Sequence, residues 1–452
     1  MTPSTDNNVV NPYVFGVPVR EPGDFFGRGE QLRAIFEALA KTESVSVVGE
    51  RRSGRTSLLF HLMSEVAQQR YGFDTDGFVF VYLDPQLGIR DPAQFFRELA
   101  DALMERLPAA VPAIEGEVTT RQLRSALKDL QPRHLVLLVD EFERVVGNES
   151  FPVDFFHFLR GISIEHQVRY VTCTTKRLSD CYWGEWEGSP LYNVFRTVRL
   201  GSWTVEELDH FLTATSQPSG APMHAYRDDI VRLGGRLPFY VQIACSLFFQ
   251  AWRDRKELTA QDVMNIKQRF AEEARPHFER LWYKALTPPE QAALVALARG
   301  QELPDPSVVR ELTTKGYVIS GHIFSSALTN FVLGREAEPQ DTQDARMPQE
   351  PTDEGIWVDK RSGDVWVDGV KREPPLTNLE YKLLLCLYDN ANCICDKYEI
   401  VETVWAGEYL KNVDDSRIAK LVSRLRDRVE PDPSKPRYVV TVHGRGYKLV
   451  TP

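Results

Sequence analysis

The chain of 452 residues contains little cysteine and no long hydrophobic run. Its six cysteines are scattered or lie within apolar stretches, so they form neither a metal-binding pattern nor a disulfide framework, and buried free thiols are expected. No apolar stretch approaches the roughly 18 residues of a membrane span, and the polar N-terminus lacks a signal-peptide core. These absences argue against a disulfide-rich secreted protein and a membrane protein, and they favour a cytoplasmic location.

Net charge is −10, with 42% hydrophobic and 26% charged residues, a composition typical of a globular protein. An acidic chain is unsuited to coating nucleic acid without sequence preference. The charge is unevenly distributed, however, because residues 411–452 contain ten Lys or Arg and five Asp or Glu. An acidic body with a basic C-terminal end predicts one localised face for nucleic acid.

A strand, a glycine loop and a helix follow one another near residue 50. The β-branched run over 45–48 predicts a buried strand that ends at Gly49, and Gly54 follows five residues later. Glycines at this spacing let backbone N–H groups surround phosphate oxygens, to which the helix N-terminus adds partial positive charge. The Thr56 hydroxyl stands where such a loop binds Mg²⁺. The residues expected to contact the phosphates are Gly49, Arg52, Ser53, Gly54, Arg55, Thr56 and Ser57.

One position of this loop departs from the phosphate-binding pattern GxxxxGK[ST]. The pattern requires lysine where the chain has Arg55, whose guanidinium is wider than an ammonium group. Arginine can still pair with a phosphate oxygen, but it positions the terminal phosphate poorly, so at most a slow ATPase is expected. Taken alone, the loop is equally consistent with an ordinary turn, and its context must decide.

A second motif supplies that context. Residues 134–139 (HLVLLV) form a continuously apolar strand, as expected of a parallel sheet covered by helices on both faces. Asp140 and Glu141 follow at its carboxyl end, where Asp140 would hold Mg²⁺ and Glu141 would polarise an attacking water. The alternative is a solvated acidic loop that happens to follow a strand.

The N-terminal half resembles the STAND branch of AAA-related P-loop NTPases. The resemblance rests on the glycine loop, on the segments NPY (11–13), GVPV (16–19) and FFGRGE (25–30), and on GGRLP (234–238). In that family the N-terminal segment packs over adenine and ribose, which implies roles for Gly27 and Arg28, and a lid proline packs on the base, which implies Pro238. The resemblance also implies that Thr175 senses the γ-phosphate. Plain core packing is the alternative for the two phenylalanines of FFGRGE.

Composition and pattern divide the chain into six segments. Residues 335–354 contain three prolines, seven acids and one large apolar residue, so they cannot bury enough surface to order themselves. The predicted segments are a disordered tail (1–10), an α/β P-loop NTPase domain with a parallel sheet (11–200), a helical lid (201–285), a small winged helix (286–334), an acidic linker (335–354) and a separate α+β winged-helix domain (355–452).

The last segment combines a small antiparallel sheet, three helices and a terminal hairpin. Its third helix, predicted over 415–429, buries an apolar face and leaves a basic face outside. Such a helix fits the major groove of DNA, where arginine can reach guanine. The alternative is a solvated charged face. The outward residues are Arg417, Lys420, Ser423, Arg424 and Arg426.

This segment resembles the OmpR/PhoB-type winged-helix DNA-binding domain over its whole length. The resemblance rests on LTNLE (376–380), Trp405, SRLRDRVEP (423–431) and TVHGRGY (441–447). It implies base- and phosphate-facing positions for the helix residues named above and further contacts from the wing. Ser423 and His443 stand where arginine is frequent in the family, so the operator cannot be inferred. The wing residues expected to contact DNA are Thr441, His443, Arg445 and Tyr447.

Together these patterns predict a cytoplasmic transcription regulator in which a STAND-like module, binding ATP or ADP with Mg²⁺, controls a DNA-binding domain. Double-stranded DNA is the expected partner, and RNA polymerase and a second copy of the chain are further candidates. One alternative is an AAA-type replication initiator or loader, which DNA-stimulated ATP turnover would indicate. Another is a non-hydrolysing scaffold in which Arg55 marks a degenerate site.

Overall fold

The structure is a computed structural model that describes residues 10–107, 116–181, 191–301, 305–334, 355–359, 363–373, 376–392, 394–395, 397–405, 415–442 and 446–450. The described residues within Met1–Leu258 and Arg310–Ser320 form one compact unit. Those within Thr259–Val309 and Gly321–Pro452 form another. The predicted disordered tail and acidic linker lie almost entirely outside the described residues.

A parallel sheet organises the first unit. In the described part of the chain it has five strands in the order β2-β3-β4-β1-β5, all aligned in parallel. The predicted parallel α/β fold is therefore confirmed. The strands are β1 (Ser44–Gly49), β2 (Phe78–Leu83), β3 (His134–Val139), β4 (Arg169–Thr174) and β5 (Phe195–Leu200).

Helices cover both faces of this sheet, as the continuous apolar run of β3 predicted. Successive β3 side chains enter different cores, because Leu135 and Leu137 pack into one hydrophobic cluster and Val136 and Leu138 into the other. The helices of this sheet domain are α1 (Gly29–Ala40), α2 (Arg55–Leu62), α3 (Glu65–Arg70), α4 (Pro92–Arg106), α5 (Thr120–Asp129), α6 (Glu143–Val146) and α7 (Val153–Glu165), with 3₁₀ turns at Pro22–Asp24, Pro85–Leu87, Leu178–Asp180 and Leu191–Val194.

The chain is helical after β5. Thr204 and Thr259 each begin a helix with a capping box, in which the threonine and the side chain three residues on satisfy each other's backbone N–H groups. No helix among the described residues has both the length and the apolar content to cross a membrane. The helices here are α8 (Val205–Ser219), α9 (Arg227–Gly234), α10 (Pro238–Arg255), α11 (Ala260–Arg280), α12 (Pro288–Arg299), α13 (Pro306–Lys315) and α14 (Ser326–Leu333), with a 3₁₀ turn at Met223–Tyr226, a π-helical turn at Leu281–Ala285 and the strands β6 (Val318–Ile319) and β7 (His322–Ile323).

The C-terminal domain has its own hydrophobic core. A three-stranded antiparallel sheet β8-β9-β10 precedes the helices, and β11, β13 and β12 form a second sheet. Thr377 caps the first helix with Glu380 as its capping-box partner. The elements are β8 (Ile356–Val358), β9 (Val365–Val367), β10 (Val370–Lys371), α15 (Asn378–Asp389), β11 (Ile394–Cys395), α16 (Lys397–Trp405), α17 (Asp415–Val429), β12 (Val439–Val442) and β13 (Gly446–Leu449).

Helix α17 follows its sequence pattern closely. Its bounds are those predicted, and its apolar face is buried as expected, through Ile418, Leu421, Val422 and Leu425. On α15, Leu383 is buried, whereas Tyr381 and Leu385 pack only partly against the core. The winged-helix assignment is confirmed, and the wing residues His443 and Arg445 lie outside the described residues.

Candidate nucleotide site and DNA-facing helix

The loop between β1 and α2 has the backbone that phosphate binding requires. Gly49 ends β1, and a side chain there would lie 2.5 Å from the Ser53 hydroxyl, so a larger residue would displace the Ser53 side chain. Gly54 has φ of +91° and Arg52 has φ of +66°, which turns the loop into the first turn of α2. The six residues predicted from 52 to 57 therefore lie on one loop and helix start.

Arg28 holds this loop in place through hydrogen bonds to backbone carbonyls. The residue is buried, and its guanidinium donates to the carbonyl of Ser53 at 3.0 Å and to that of Gly201 at 2.8 Å. Burial lowers the pKa of Arg28 to about 10, although Glu207 acts in the opposite direction. Neighbouring Gly27 has φ of +74°, and a side chain there would collide with Trp203. These two predicted nucleotide contacts thus have structural roles that fix the loop.

The two predicted magnesium ligands lie together. The Thr56 hydroxyl donates to Asp140 Oδ2 at 2.5 Å, and the other oxygen of Asp140 accepts the N–H of Glu141 at 2.9 Å. A hydroxyl beside a carboxylate is a suitable oxygen donor set for Mg²⁺. Burial raises the pKa of Asp140, whereas Arg55 and the hydrogen bond from Thr56 oppose that rise.

Arg55 is buried between two carboxylates. Its Nη2 atom donates to Glu141 in a very short hydrogen bond, and its Nη1 atom lies 3.5 Å from Glu143 Oε1. Burial acts to lower the pKa of Arg55, but Glu141, Glu143 and Asp140 outweigh it and the pKa is raised. Burial, with a contribution from Glu141, raises the pKa of Glu143. The guanidinium is therefore the counter-charge that this acidic pocket needs.

Sequence reasoning did not identify Glu143. The residue is the third acidic side chain of the run DEFE (140–143), and α6 begins with it. Its Oε1 atom accepts the backbone N–H of Thr175 at 3.0 Å, and Thr175 follows β4. Because β4 lies between β1 and β3, the structure brings Thr175 beside both motifs. The run of acids that begins at Asp140 was the signal in the sequence that could have indicated Glu143.

The remaining predicted contacts lie around the same loop. Ser57 accepts the N–H of Val19 at 2.9 Å, so it anchors the N-terminal segment to α2. Pro238 is the first residue of α10, and the next residue, Phe239, lies under the Arg52 guanidinium at 5.1 Å. Gly234 lies at the end of α9, four residues before Pro238. Its backbone packs so closely on Tyr240 that a side chain at this position would lie 2.7 Å from backbone atoms.

A second contact near the loop was also not predicted. Lys315, at the end of α13, lies 3.7 Å from Glu50, which directly follows β1. Glu311 of the same helix lies 3.8 Å from Arg199 of β5. Residues 310–320 belong to the first unit, so the end of α13 is part of the surroundings of the glycine loop.

Two buried donors of the site are suited to a nucleotide bound with Mg²⁺. Buried Arg55 Nη1 has no hydrogen-bond partner among the described residues, and neither has the Ser53 hydroxyl. Both are donors suited to phosphate oxygens, and buried donors without partners are uncommon in folded proteins. With the glycine loop and the pair of Thr56 and Asp140, they fit a magnesium–nucleotide complex.

The basic helix α17 presents four of its five predicted residues to solvent. Arg417, Lys420, Ser423 and Arg424 are exposed. Arg424 is 57% exposed and lies 4.0 Å from Glu380, a distance at which a surface pair contributes little stability. These side chains are therefore placed to contact a ligand outside the domain.

Arg426 differs from its neighbours on α17. Its Nε atom donates to the carbonyl of Val439 at 2.8 Å, and its Nη2 atom donates to the Thr441 hydroxyl at 2.7 Å. Both partners lie on β12, so Arg426 links the third helix to the wing. Tyr447, on β13, packs partly against the hydrophobic core. The roles predicted for Arg426, Thr441 and Tyr447 at DNA stay predictions.

The strand order, the glycine loop and the acidic pair after β3 define the first unit as a P-loop NTPase domain. The chain belongs to the family described as Novel STAND NTPase 2, which matches residues 35–303. Residues 371–449 match the family Transcriptional regulatory protein, C terminal. The protein therefore joins a STAND-type NTPase domain to a winged-helix domain of the OmpR/PhoB type, as predicted.

Curated relatives of the chain are regulatory proteins that match it over part of its length. A transcriptional regulatory protein of Bacillus subtilis, YcbL, is 40% identical over 75 residues, which cover 16% of this chain and 32% of the relative. The sensory transduction protein RegX3 of Mycolicibacterium smegmatis is 30% identical over 160 residues, or 34% of this chain and 66% of the relative. The chain thus spans only part of the length of the curated relatives it matches.

Two solved structures are similar to part of the chain. A Walker-type ATPase of Pyrococcus abyssi has a TM-score of 0.49 and 13% identity, covering 70% of this chain and 98% of that one. The DNA-binding domain of Klebsiella pneumoniae RstA, solved with its RstA box, has a TM-score of 0.19 and 21% identity, covering 21% of this chain and 91% of that one. At these identities the similarity concerns the fold alone.

Proposed function

We propose that the protein is a cytoplasmic, nucleotide-controlled regulator that binds specific sites on double-stranded DNA. The observation that carries this proposal is the presence, in one chain, of the Thr56 and Asp140 pair beside a glycine loop and of an exposed basic helix in an OmpR/PhoB-type domain. The first is suited to a magnesium nucleotide and the second to the major groove.

In the nucleotide-bound form, the backbone N–H groups of the glycine loop surround the phosphates and Arg55 supplies positive charge. Thr56 and Asp140 would hold Mg²⁺, which neutralises phosphate charge when bound. Arg28 keeps the loop in position through the carbonyls of Ser53 and Gly201. Pro238 at the start of α10 is expected to pack against the base, with Phe239 as its neighbour.

ATP turnover is expected to be slow, because Arg55 stands at the lysine position of the loop and is paired with Glu141. A glutamate neutralised in this way is poorly placed to polarise water. We expect the wild type to hydrolyse ATP far more slowly than the ~10 s⁻¹ of typical enzymes. Arg55→Lys should raise turnover with little change in affinity, and Glu141→Gln should abolish it. Fast wild-type turnover stimulated by DNA would instead indicate a loader.

On DNA, the exposed side chains Arg417, Lys420 and Arg424 are expected to face the duplex. A single domain of this size binds weakly, and nucleotide-dependent self-association would raise the effective concentration of a second domain. We expect Arg424→Ala to cost about 1–3 kcal/mol of specific binding if the arginine contacts a base. Fluorescence anisotropy with the full chain measures this, once a binding site has been selected from random duplexes.

The decisive experiment for the nucleotide site compares wild type with Asp140→Asn. Because the change removes a charge that faces Mg²⁺, Mg·ATP binding should weaken more than Mg-free ADP binding. Asp154→Asn, on exposed surface of α7, serves as the matched control and should change neither affinity. Equal losses for both nucleotides would place the site elsewhere. Absence of nucleotide binding in wild type would support a scaffold.

A further inference from the structure

The contacts of Glu143 indicate a role for a residue that is not part of the phosphate-loop motifs. The carboxylate is held in place by the Thr175 N–H at 3.0 Å and lies 3.5 Å from Arg55 Nη1. Glu141 binds the other terminal nitrogen of the same guanidinium. One cation is thus shared between two carboxylates that follow the same strand. We call Arg55, Glu141 and Glu143 the arginine cluster.

The pairing within the arginine cluster is incomplete on one side. Arg55 Nη1 has no hydrogen-bond partner among the described residues, although Glu143 is within ion-pair distance, and Glu143 Oε2 is buried without a partner as well. Arg55 is only 6% exposed, so bulk water does not satisfy this donor. A donor in this position can donate to a phosphate oxygen the hydrogen bond that it does not make with Glu143.

We propose that Glu143 is a positioning residue that sets how strongly the site prefers a nucleoside triphosphate to a diphosphate, and that it acts through Arg55. This inference rests on the proposed nucleotide binding. Glu143 attracts the guanidinium and competes for it with the terminal phosphate, which only the triphosphate carries at that position. Its negative charge therefore weakens triphosphate binding more than diphosphate binding.

The alternative role for Glu143 is purely structural, as an acceptor for the Thr175 N–H. Glu143→Gln separates the two roles, since the amide keeps an oxygen acceptor for Thr175 but loses the charge that attracts Arg55. Glu143→Asp keeps the charge on a shorter side chain. Glu149→Gln removes one charge from an exposed position six residues further along and serves as the matched control.

The experiment is equilibrium binding of Mg·ATP and Mg·ADP to the full chain by isothermal titration calorimetry. Glu143→Gln should shift the affinity ratio toward ATP by about fivefold, the lower end of usual coupling between sites. Glu143→Asp and Glu149→Gln should stay within about twofold of wild type. A wild type that binds neither nucleotide would overturn the proposed function, whereas normal binding with an unchanged ratio in Glu143→Gln would overturn this inference alone.

A double-mutant cycle tests whether Glu143 acts through Arg55. Lysine at position 55 keeps one charge, but it lacks the two terminal nitrogens through which the guanidinium meets Glu141 and Glu143 separately. In the Arg55→Lys background, Glu143→Gln should therefore shift the ATP-to-ADP ratio by less than half as much as in wild type. An equal shift in both backgrounds would mean that Glu143 acts on the phosphate directly, which contradicts the proposal.

Discussion

The arginines of the glycine loop and of the basic helix differ in where their counter-charges lie. Arg55 is 6% exposed and lies between two carboxylates of its own domain, whereas Arg424 is 57% exposed with one carboxylate at 4.0 Å. Burying a charge is costly unless the fold supplies a partner, and an exposed charge has no such need. A buried cation therefore stabilises the fold as well as being able to bind a ligand, whereas an exposed cation is available to bind a ligand without stabilising the fold.

Arg426 is intermediate between these two cases. It lies on the same helix as Arg424 but is half-buried, and it donates to a carbonyl and a hydroxyl of β12. The surroundings of an arginine, rather than its place in a motif, therefore decide whether its loss lowers mainly stability or mainly ligand binding. Loss of Arg55 or Arg426 should lower stability, and loss of the exposed cations should lower DNA binding.

The largest effect is expected for Arg55→Ala. The change leaves Glu141 and Glu143 buried without their counter-charge, which typically costs about 3–5 kcal/mol of unfolding free energy. Urea denaturation followed by circular dichroism measures the loss. Arg417→Ala, on the exposed face of α17, is the control and should stay within about 0.5 kcal/mol. A loss below about 1 kcal/mol in Arg55→Ala would contradict the pairing described for this site.

Acid should destabilise the NTPase domain through His61. This buried side chain stacks on Phe25 at 4.2 Å, and burial lowers its pKa from 6.5 to about 4. The unfolded chain takes up a proton below pH 6.5 and the folded chain does not, so stability is intact above pH 6.5 and falls until about pH 4. The loss amounts to about 3 kcal/mol.

His61→Phe keeps a ring against Phe25 but cannot titrate. Its stability should therefore fall less than that of wild type between pH 6.5 and 4, as measured by urea denaturation at a series of pH values. His322→Gln, on an exposed position of β7, is the control and should follow wild type. Parallel pH profiles for wild type and His61→Phe would show that His61 is not the group responsible.

A smaller loss of stability is expected for Arg426→Ala. Its two hydrogen bonds from a charged group to β12 disappear, and bonds of this kind contribute about 1.5–3 kcal/mol. Thermal unfolding of the full chain should show the C-terminal transition at a lower temperature. Unchanged unfolding together with weaker DNA binding would mean that Arg426 belongs with the exposed cations.

The smallest effect on stability, and a clear one on binding, is expected for Lys420→Ala. The side chain is exposed, so unfolding should change by less than about 0.5 kcal/mol. If Lys420 meets a phosphate, binding to all duplexes should weaken and the slope of log affinity against log salt should fall by about 1. The slope is obtained by anisotropy titrations at several salt concentrations, and an unchanged slope would exclude a phosphate contact.

Local patterns predicted the elements of this protein well. The strand β3 and the helix α17 have the predicted bounds, because apolar periodicity and capping residues act over a few neighbouring positions. The two predicted magnesium ligands also lie together. The Thr56 hydroxyl lies 2.5 Å from Asp140 Oδ2, because both residues follow strands of one parallel sheet at its carboxyl edge.

The pairing of charges was not predictable in the same way. Glu143 and Lys315 were missed, and Arg426 was expected to face DNA without its contacts to the wing. The pairings of Glu143 and Lys315 join elements far apart in the chain, and that of Arg426 joins a helix to the strand that follows it. Spacing alone shows which residue types are present at a motif but not which of several cations and carboxylates will meet.

By itself, the sequence determined where strands and helices lie and which two kinds of domain the chain contains, because periodicity and motif spacing are local properties. Only the tertiary structure decided that Arg55 is shared by Glu141 and Glu143 and that Arg426 is held by β12. The physical reason is that burial makes an unpaired charge costly, and the order of the strands determines which partner is within reach.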